Sequence, residues 1–101
     1  MALTIAKDSS GDSLALTLEG RLDTTTAPQL EAELNNSIGS VKTLTFDLAK
    51  LAYVSSAGLR VLLKAQKTMN KQGIMTIKNA GQEILEIFEV TGFDEILNIE
   101  K

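Results

Sequence analysis

The sequence predicts an α/β fold: one domain in which a mixed, mostly parallel sheet of four to five strands is covered by helices. Three observations predict it. Apolar residues alternate at Leu14, Leu16 and Leu18 and again at Leu44, Phe46 and Leu48, the period of strands with one buried face. Elsewhere the period lengthens to three and four, as at Leu30, Leu34 and Ile38, or along the face of Leu59, Leu62, Leu63, Gln66 and Met69. The chain has 101 residues, enough for one core and too few for two, so residues 1–101 are read as a single domain.

Leu3-Thr4-Ile5 is a short alternating strand, and Lys7 to Asp12, with Ser9-Ser10-Gly11 inside it, reads as a turn. Leu14 to Leu18 forms the second strand of a hairpin, which Gly20 helps to end. Arg21 to Thr25 is a loop. Thr26-x-x-Gln29 resembles a capping box, with Pro28 tolerated in the first helical turn, and the helix runs to about Ile38 before Gly39. Leu44 to Leu48 is the third strand, with Leu51 and Val54 extending its apolar character toward Ser55-Ser56. A second helix follows and ends at Gly73, with Arg60, Lys64, Lys67 and Lys71 on its polar side. Ile74 to Ile77 is a buried strand. Gln82 to Thr91 is a third helix, with Ile84, Leu85, Ile87 and Phe88 inward, Glu83, Glu86 and Glu89 outward, and Gly92 at its C-terminal cap. Phe93 to Leu97 forms a further helical turn and Leu97 to Ile99 an edge strand. The order β-β-α-β-α-β-α implies parallel neighbours joined by right-handed crossovers.

Composition narrows the function classes. The chain has neither histidine nor cysteine, which removes the usual general base, the thiol nucleophile and the commonest metal ligands. Aromatic residues are 4% with no tryptophan, and the net charge is −3, which argues against a nucleic-acid partner. Met1-Ala-Leu-Thr leads directly into alternating residues, with no basic leader and no spanning segment. A cytoplasmic protein that does not insert into a membrane is the expectation. Charge is nonetheless uneven: residues 48–82 carry six cations and no acid, while six acids lie in 83–101. Solvated helix faces explain this asymmetry first, a steering field second.

A catalytic reading lacks its parts. Asp23 and Asp47 could form a carboxylate pair, but nothing local supplies a nucleophile or a tuned base. Ser55 and Ser56 have no histidine to activate them, and a serine-lysine pair with Lys50 or Lys64 has no diagnostic spacing. Gly58 at a strand-to-helix junction is a single glycine without the rest of a phosphate loop. No metal, cofactor or catalytic residue is therefore expected. The stretch Ser55-Ser56-Ala57-Gly58-Leu59-Arg60 has a simple structural account, in which one serine caps the helix. A phosphate there would also be tolerated, because it would meet free N–H groups and the positive end of the helix dipole.

The run Asp47-Leu48-x-x-Leu51-x-Tyr53-Val54-Ser55-Ser56-Ala57-Gly58-Leu59-Arg60-Val61-Leu62 resembles the signature of anti-sigma factor antagonists, members of the STAS domain family. Gly20-Arg21-Leu22-Asp23 with Thr26-Ala27, and Phe88-x-x-Thr91-Gly92-Phe93-Asp94, are similar to further segments of that family, in the same order. The resemblance spans essentially the whole chain. It implies a non-enzymatic switch. The unphosphorylated protein would bind an anti-sigma factor that is a serine/threonine kinase, and so free the sigma factor. The kinase would phosphorylate the protein at Ser56 and let go, and a phosphoserine phosphatase would reset it. Asp23 falls on an acidic loop position that faces the kinase, or else caps the first helix. Many relatives carry aspartate where Ser55 stands, and serine or threonine where Ala57 stands. Ser55 thus remains an alternative acceptor. The implied partner surface comprises Asp23, Thr24, Ser55, Ala57, Gly58, Arg60 and Lys64. A STAS adaptor in another partner-switching or membrane-transport complex is the alternative reading.

Overall fold

The computed structural model describes residues 3–100. Its element order is β1 (Leu3–Ser10), β2 (Ser13–Leu22), α1 (Ala27–Ser37), β3 (Thr43–Val54), α2 (Ser56–Asn70), β4 (Ile74–Lys78), α3 (Gln82–Thr91), a 3-10 turn at Phe93–Glu95 and β5 (Ile99–Glu100). The five strands form one sheet in the order β1-β2-β3-β4-β5. β1 and β2 are antiparallel, and every later neighbour is parallel. The predicted mixed, mostly parallel sheet and its element order are therefore observed.

Each crossover steps one strand in the same direction, so right-handed connections place all three helices on one face. Burial follows that geometry. Leu14, Leu16, Leu18 and Leu22 of β2, Leu44, Phe46 and Leu48 of β3, and Met75 and Ile77 of β4 are buried under the helices. Their alternating neighbours, among them Ala15, Thr17, Thr45, Asp47 and Thr76, face away and are half-buried at most. The helices contribute Leu30 and Leu34, then Leu59, Val61, Leu62, Ala65 and Met69, then Ile84 and Phe88. The helical cover is thus one-sided, and the far side of the sheet is a polar surface.

Several element boundaries differ from the sequence expectation. The expected turn at Lys7 to Asp12 is mostly strand: β1 pairs with β2 from Leu3↔Gly20 to Ser10↔Ser13, leaving Gly11 and Asp12 as the turn. Gly11 has φ of 61°, a conformation that favours glycine. Backbone pairing, rather than apolar alternation, extends this polar edge strand. Gly20 does not end β2. It has φ of 107° beside a shift of register, and the bulge carries the strand on to Leu22. β3 likewise continues past Leu48 to Val54, with Arg21 opposite Tyr53 and Leu22 opposite Val54.

The capping box is not formed. Thr26 makes no side-chain cap to α1, and Gln29 donates instead to the Leu3 carbonyl oxygen at 3.0 Å. Gly73 lies beyond the end of α2, at the entry to β4. A Cβ there would overlap the Lys42 carbonyl, so close approach of two backbones requires glycine at this point. Gly92 does cap α3, with φ of 81°. The edge strand among the described residues is Ile99–Glu100 rather than Leu97 to Ile99: Ile77 pairs with Ile99 and Lys78 with Glu100, and the Ile77 N–H donates to the Asn98 carbonyl at the start of that ladder.

Candidate functional site

The carboxyl ends of β2 and β3 lie side by side, so the loop after β2 and the start of α2 meet at one end of the sheet. The Ser55 N–H donates to the Leu22 carbonyl at 2.8 Å, fixing that junction. Ser55 has extended backbone, and its hydroxyl accepts the Gly58 N–H at 3.3 Å, as a helix N-cap does. The first N–H groups of a helix have no acceptor within the helix, and no acidic residue occupies the first turn of α2.

Ser56 is the first residue of α2 and is exposed. Among the described residues its hydroxyl has no hydrogen-bond partner. Ala57 is half-buried and Gly58 is buried. A Cβ at Gly58 would lie 2.7 Å from Leu22 Cγ and 3.0 Å from the Leu22 carbonyl oxygen, so this glycine lets α2 sit against the end of β2.

The Asp23 loop is held by its own carboxylate. Asp23 Oδ1 accepts from the Thr25 hydroxyl at 2.8 Å, the Thr25 N–H at 3.0 Å and the Thr26 N–H at 3.1 Å. The Thr26 hydroxyl accepts the Asp23 N–H and donates to the Arg21 carbonyl, both at 2.8 Å. The Asp23 carbonyl accepts the Ala27 N–H at 2.8 Å. The Thr25 hydroxyl, with the Thr26 and Thr25 N–H groups, holds the Asp23 carboxyl below its ordinary value against the opposing effect of desolvation. Asp23 thus braces the loop and the start of α1, while Oδ2 remains on the outer side, 3.7 Å from Arg21 Nε.

Arg21 was invisible in the sequence as a site residue. Its guanidinium carbon lies 4.4 Å from the centroid of the Tyr53 ring, so one side chain bridges the Asp23 loop and the strand leading to Ser55. Only the parallel register, which sets Arg21 opposite Tyr53, creates this contact.

Two grooves flank the first turn of α2. On the α1 side, a cavity of about 300 Å³ is lined by Thr24, Pro28, Ala57, Arg60 and Lys64 among others. The structure therefore brings Thr24, Ala57, Arg60 and Lys64 to one cavity. Lys64 pairs with Glu31 of α1 at 3.1 Å. Arg60 is exposed and has no ion pair among the described residues. On the α3 side, a cavity of about 520 Å³ is lined by Ser55, Ser56, Tyr53, Leu59, Ile87 and Val90, with Glu83 and Glu86 also facing it. No motif in the sequence discloses this groove. Part of its signal was present in α3, where Glu83, Glu86 and Val90 fall at i, i+3 and i+7 on one outer stripe; Ile87, expected inward, packs against the core and also lines the groove. No helix among the described residues is long and apolar enough to cross a membrane. Nor do they hold a cluster of three or more metal-ligating side chains.

Comparison with known proteins agrees with the fold. A protein of Bordetella bronchiseptica named BtrV, a candidate anti-sigma factor antagonist, is 32% identical over 96% of this chain and 85% of its own. The anti-sigma-B factor antagonist of Bacillus subtilis is 24% identical, covering 98% of this chain and 92% of its own. Among solved structures, an anti-sigma factor antagonist from Mycobacterium paratuberculosis superposes with a TM-score of 0.87 at 21% identity, over 96% of this chain and 84% of that one. The unphosphorylated form of the antagonist SpoIIAA gives a TM-score of 0.77 at 18% identity, over 97% and 88%. At these structural identities the likeness is one of fold. The profile of the STAS domain matches residues 4–101, and the chain belongs to the STAS domain family.

Proposed function

We propose that this protein is an anti-sigma factor antagonist controlled by phosphorylation of Ser56. In this reading the unphosphorylated protein captures an anti-sigma factor that is a serine/threonine kinase, which releases the sigma factor. Phosphoryl transfer from ATP to the Ser56 hydroxyl ends the capture, and a phosphoserine phosphatase restores it. The protein contributes the acceptor and the docking surface, and the partner contributes the catalysis. The action is placed in the cytoplasm, where the kinase finds ATP.

The observation that carries the reading is the contrast between two adjacent serines. Ser56 is exposed with an unengaged hydroxyl, whereas the Ser55 hydroxyl is occupied by the Gly58 N–H. That contrast favours Ser56 over Ser55 as acceptor. A phosphate at Ser56 would sit in the first turn of α2, where a negative charge suits the helix dipole. The domain then stays folded, and the charge acts on the partner rather than on the fold. Asp23 Oδ2, Thr24 and Arg60 surround the same end of the molecule and are the partner-facing groups, joined by Ala57 and Lys64 along the α1 side. The names of the relatives from Bordetella bronchiseptica and Bacillus subtilis support the antagonist role in this reading.

The test is phosphorylation by the cognate kinase, followed by mass spectrometry of the modified peptide. Ser56→Ala should abolish labelling, while Ser55→Ala should retain it at a reduced rate set by the weakened cap. Labelling of Ser56→Ala at the parent rate would contradict the site assignment.

A further inference from the structure

We propose that the groove between α2 and α3 docks an apolar protein segment bearing lysine or arginine, and that phosphorylation of Ser56 strengthens this docking. The first half stands on the groove alone. The second rests on the reading of Ser56 given above.

Of the groove's apolar walls, Leu59 belongs to the core and Ile87 packs against it, while Val90 and Tyr53 lie exposed. Ile84 and Phe88 of α3 are buried in the core, but Val90 is 86% exposed on the outer stripe and Ile87 is half-buried. With Leu59 and the half-exposed Tyr53 they line about 520 Å³, room for a few side chains of a docked segment. The rim is acidic. Glu83 and Glu86 face the cavity, and among the described residues neither pairs with a cation; Glu86 accepts Gln82 Nε2 at 3.3 Å. Of the neighbouring cations, Arg60 and Lys64 of α2 line the opposite groove, and Arg21, stacked on Tyr53, lies 3.7 Å from Asp23 Oδ2 and is not part of this lining. An occupant that fills the apolar floor must therefore bring its own positive charge to the rim.

Ser56 lies in the lining of this same groove. A phosphate there adds nearly two negative charges to a rim that already holds two carboxylates. For a cationic segment the sign is attractive. The groove is thus suited to a partner that must find the phosphorylated form, the chemical class being an enzyme that removes the phosphate. The α1-side groove, where Arg60 has no ion pair among the described residues, has the opposite character.

The chain itself supplies the probe, since Tyr53 is its one tyrosine, there is no tryptophan, and Tyr53 lines the groove. Tyrosine emission is followed while a synthetic amphipathic helix of leucine and lysine is titrated into the parent. The same titration is run on Ser56→Asp, on Glu83→Gln with Glu86→Gln, and on Asp8→Asn with Asp12→Asn, a charge-matched control at the far end of the sheet. A leucine-glutamate peptide serves as the reversed-charge control. Saturable binding of the lysine peptide is expected, roughly three- to tenfold tighter for Ser56→Asp and roughly three- to tenfold weaker for the Glu83/Glu86 pair, with the Asp8/Asp12 pair near the parent.

Equal binding of both peptides, or equal loss in the two charge-matched pairs, would overturn the groove assignment. So would an emission change that follows protein concentration without peptide, which marks a second copy, or one that only a small apolar dye produces. Weaker or unchanged binding to Ser56→Asp would overturn the phosphorylation half. Kinase labelling of the Glu83/Glu86 pair keeps the two readings apart. If labelling stays on Ser56 while the peptide fails to bind, the groove assignment alone falls. If labelling is absent from Ser56 while the peptide binds, the phosphorylation reading alone falls.

Discussion

Ser55 and Ser56 share a junction but not a role, and the difference lies in one hydrogen bond. The Ser55 hydroxyl takes the Gly58 N–H, so Ser55→Ala should lower stability by about 1 kcal/mol, read as a fall in the thermal midpoint. Ser56→Ala removes no such bond and should leave the midpoint near the parent. Asp23 gives a prediction with a definite sign. Its carboxyl is held below the ordinary value of 3.8, so its ionised form contributes stability above that pH, and the contribution is lost as pH falls through the lower folded value. The stability gap between parent and Asp23→Asn, measured by thermal melts, should therefore shrink as the pH drops below 3.8. A gap that widens under acid would contradict the bonding described here. The serine pair was legible in the sequence because it marks the change from alternating to helical period. The Asp23 loop was only half legible. Thr26-x-x-Gln29 has the residues of a capping box, but Gln29 finds the Leu3 carbonyl, a partner twenty-six residues away that local spacing does not disclose.

At the scale of elements, the start of α2 depends on how closely it approaches β2. Gly58 leaves room for Leu22, and Gly58→Ala should cost about 1–3 kcal/mol by overpacking, despite the better helix propensity of alanine. Urea melts would check this; a neutral or stabilising substitution would show that the junction is looser than described. Strands with one buried face were read from their alternation, as at β2 and the first half of β3. The edge strand β1 was cut short in that reading because Lys7 to Ser10 are polar and exposed, and only pairing with β2 makes them strand. The continuation of β2 past Gly20 was hidden for a related reason. A glycine that reads as a terminator serves as a bulge once a neighbouring strand supplies the ladder.

For the whole molecule, the governing fact is that the helices cover one side of the sheet. Adjacent residues of β3 therefore answer differently to the same change. Phe46→Ala should cost about 3–5 kcal/mol, and Thr45→Ala, on the open face, less than about 1 kcal/mol. The asymmetry of charge along the sequence also becomes spatial. Exposed Arg60, Lys64 and Lys67 lie along α2, while exposed Glu83, Glu86 and Glu89 lie along α3. The first turn of α2, with Ser56 at its head, stands between a groove bearing Arg60 and a groove rimmed by Glu83 and Glu86. The sequence showed both charge clusters, but not that the serine would separate them, since that follows from the crossover geometry. Replacing Arg60 by glutamate should weaken capture of the kinase by roughly tenfold in a binding titration, the loss of an attractive contact together with a new repulsive one. The most direct test of the central claim is the affinity of the cognate anti-sigma factor kinase for this protein before and after stoichiometric phosphorylation. Tight binding of the unmodified protein is expected, with loss of binding once Ser56 carries the phosphate; equal affinity for the two forms would contradict the switch.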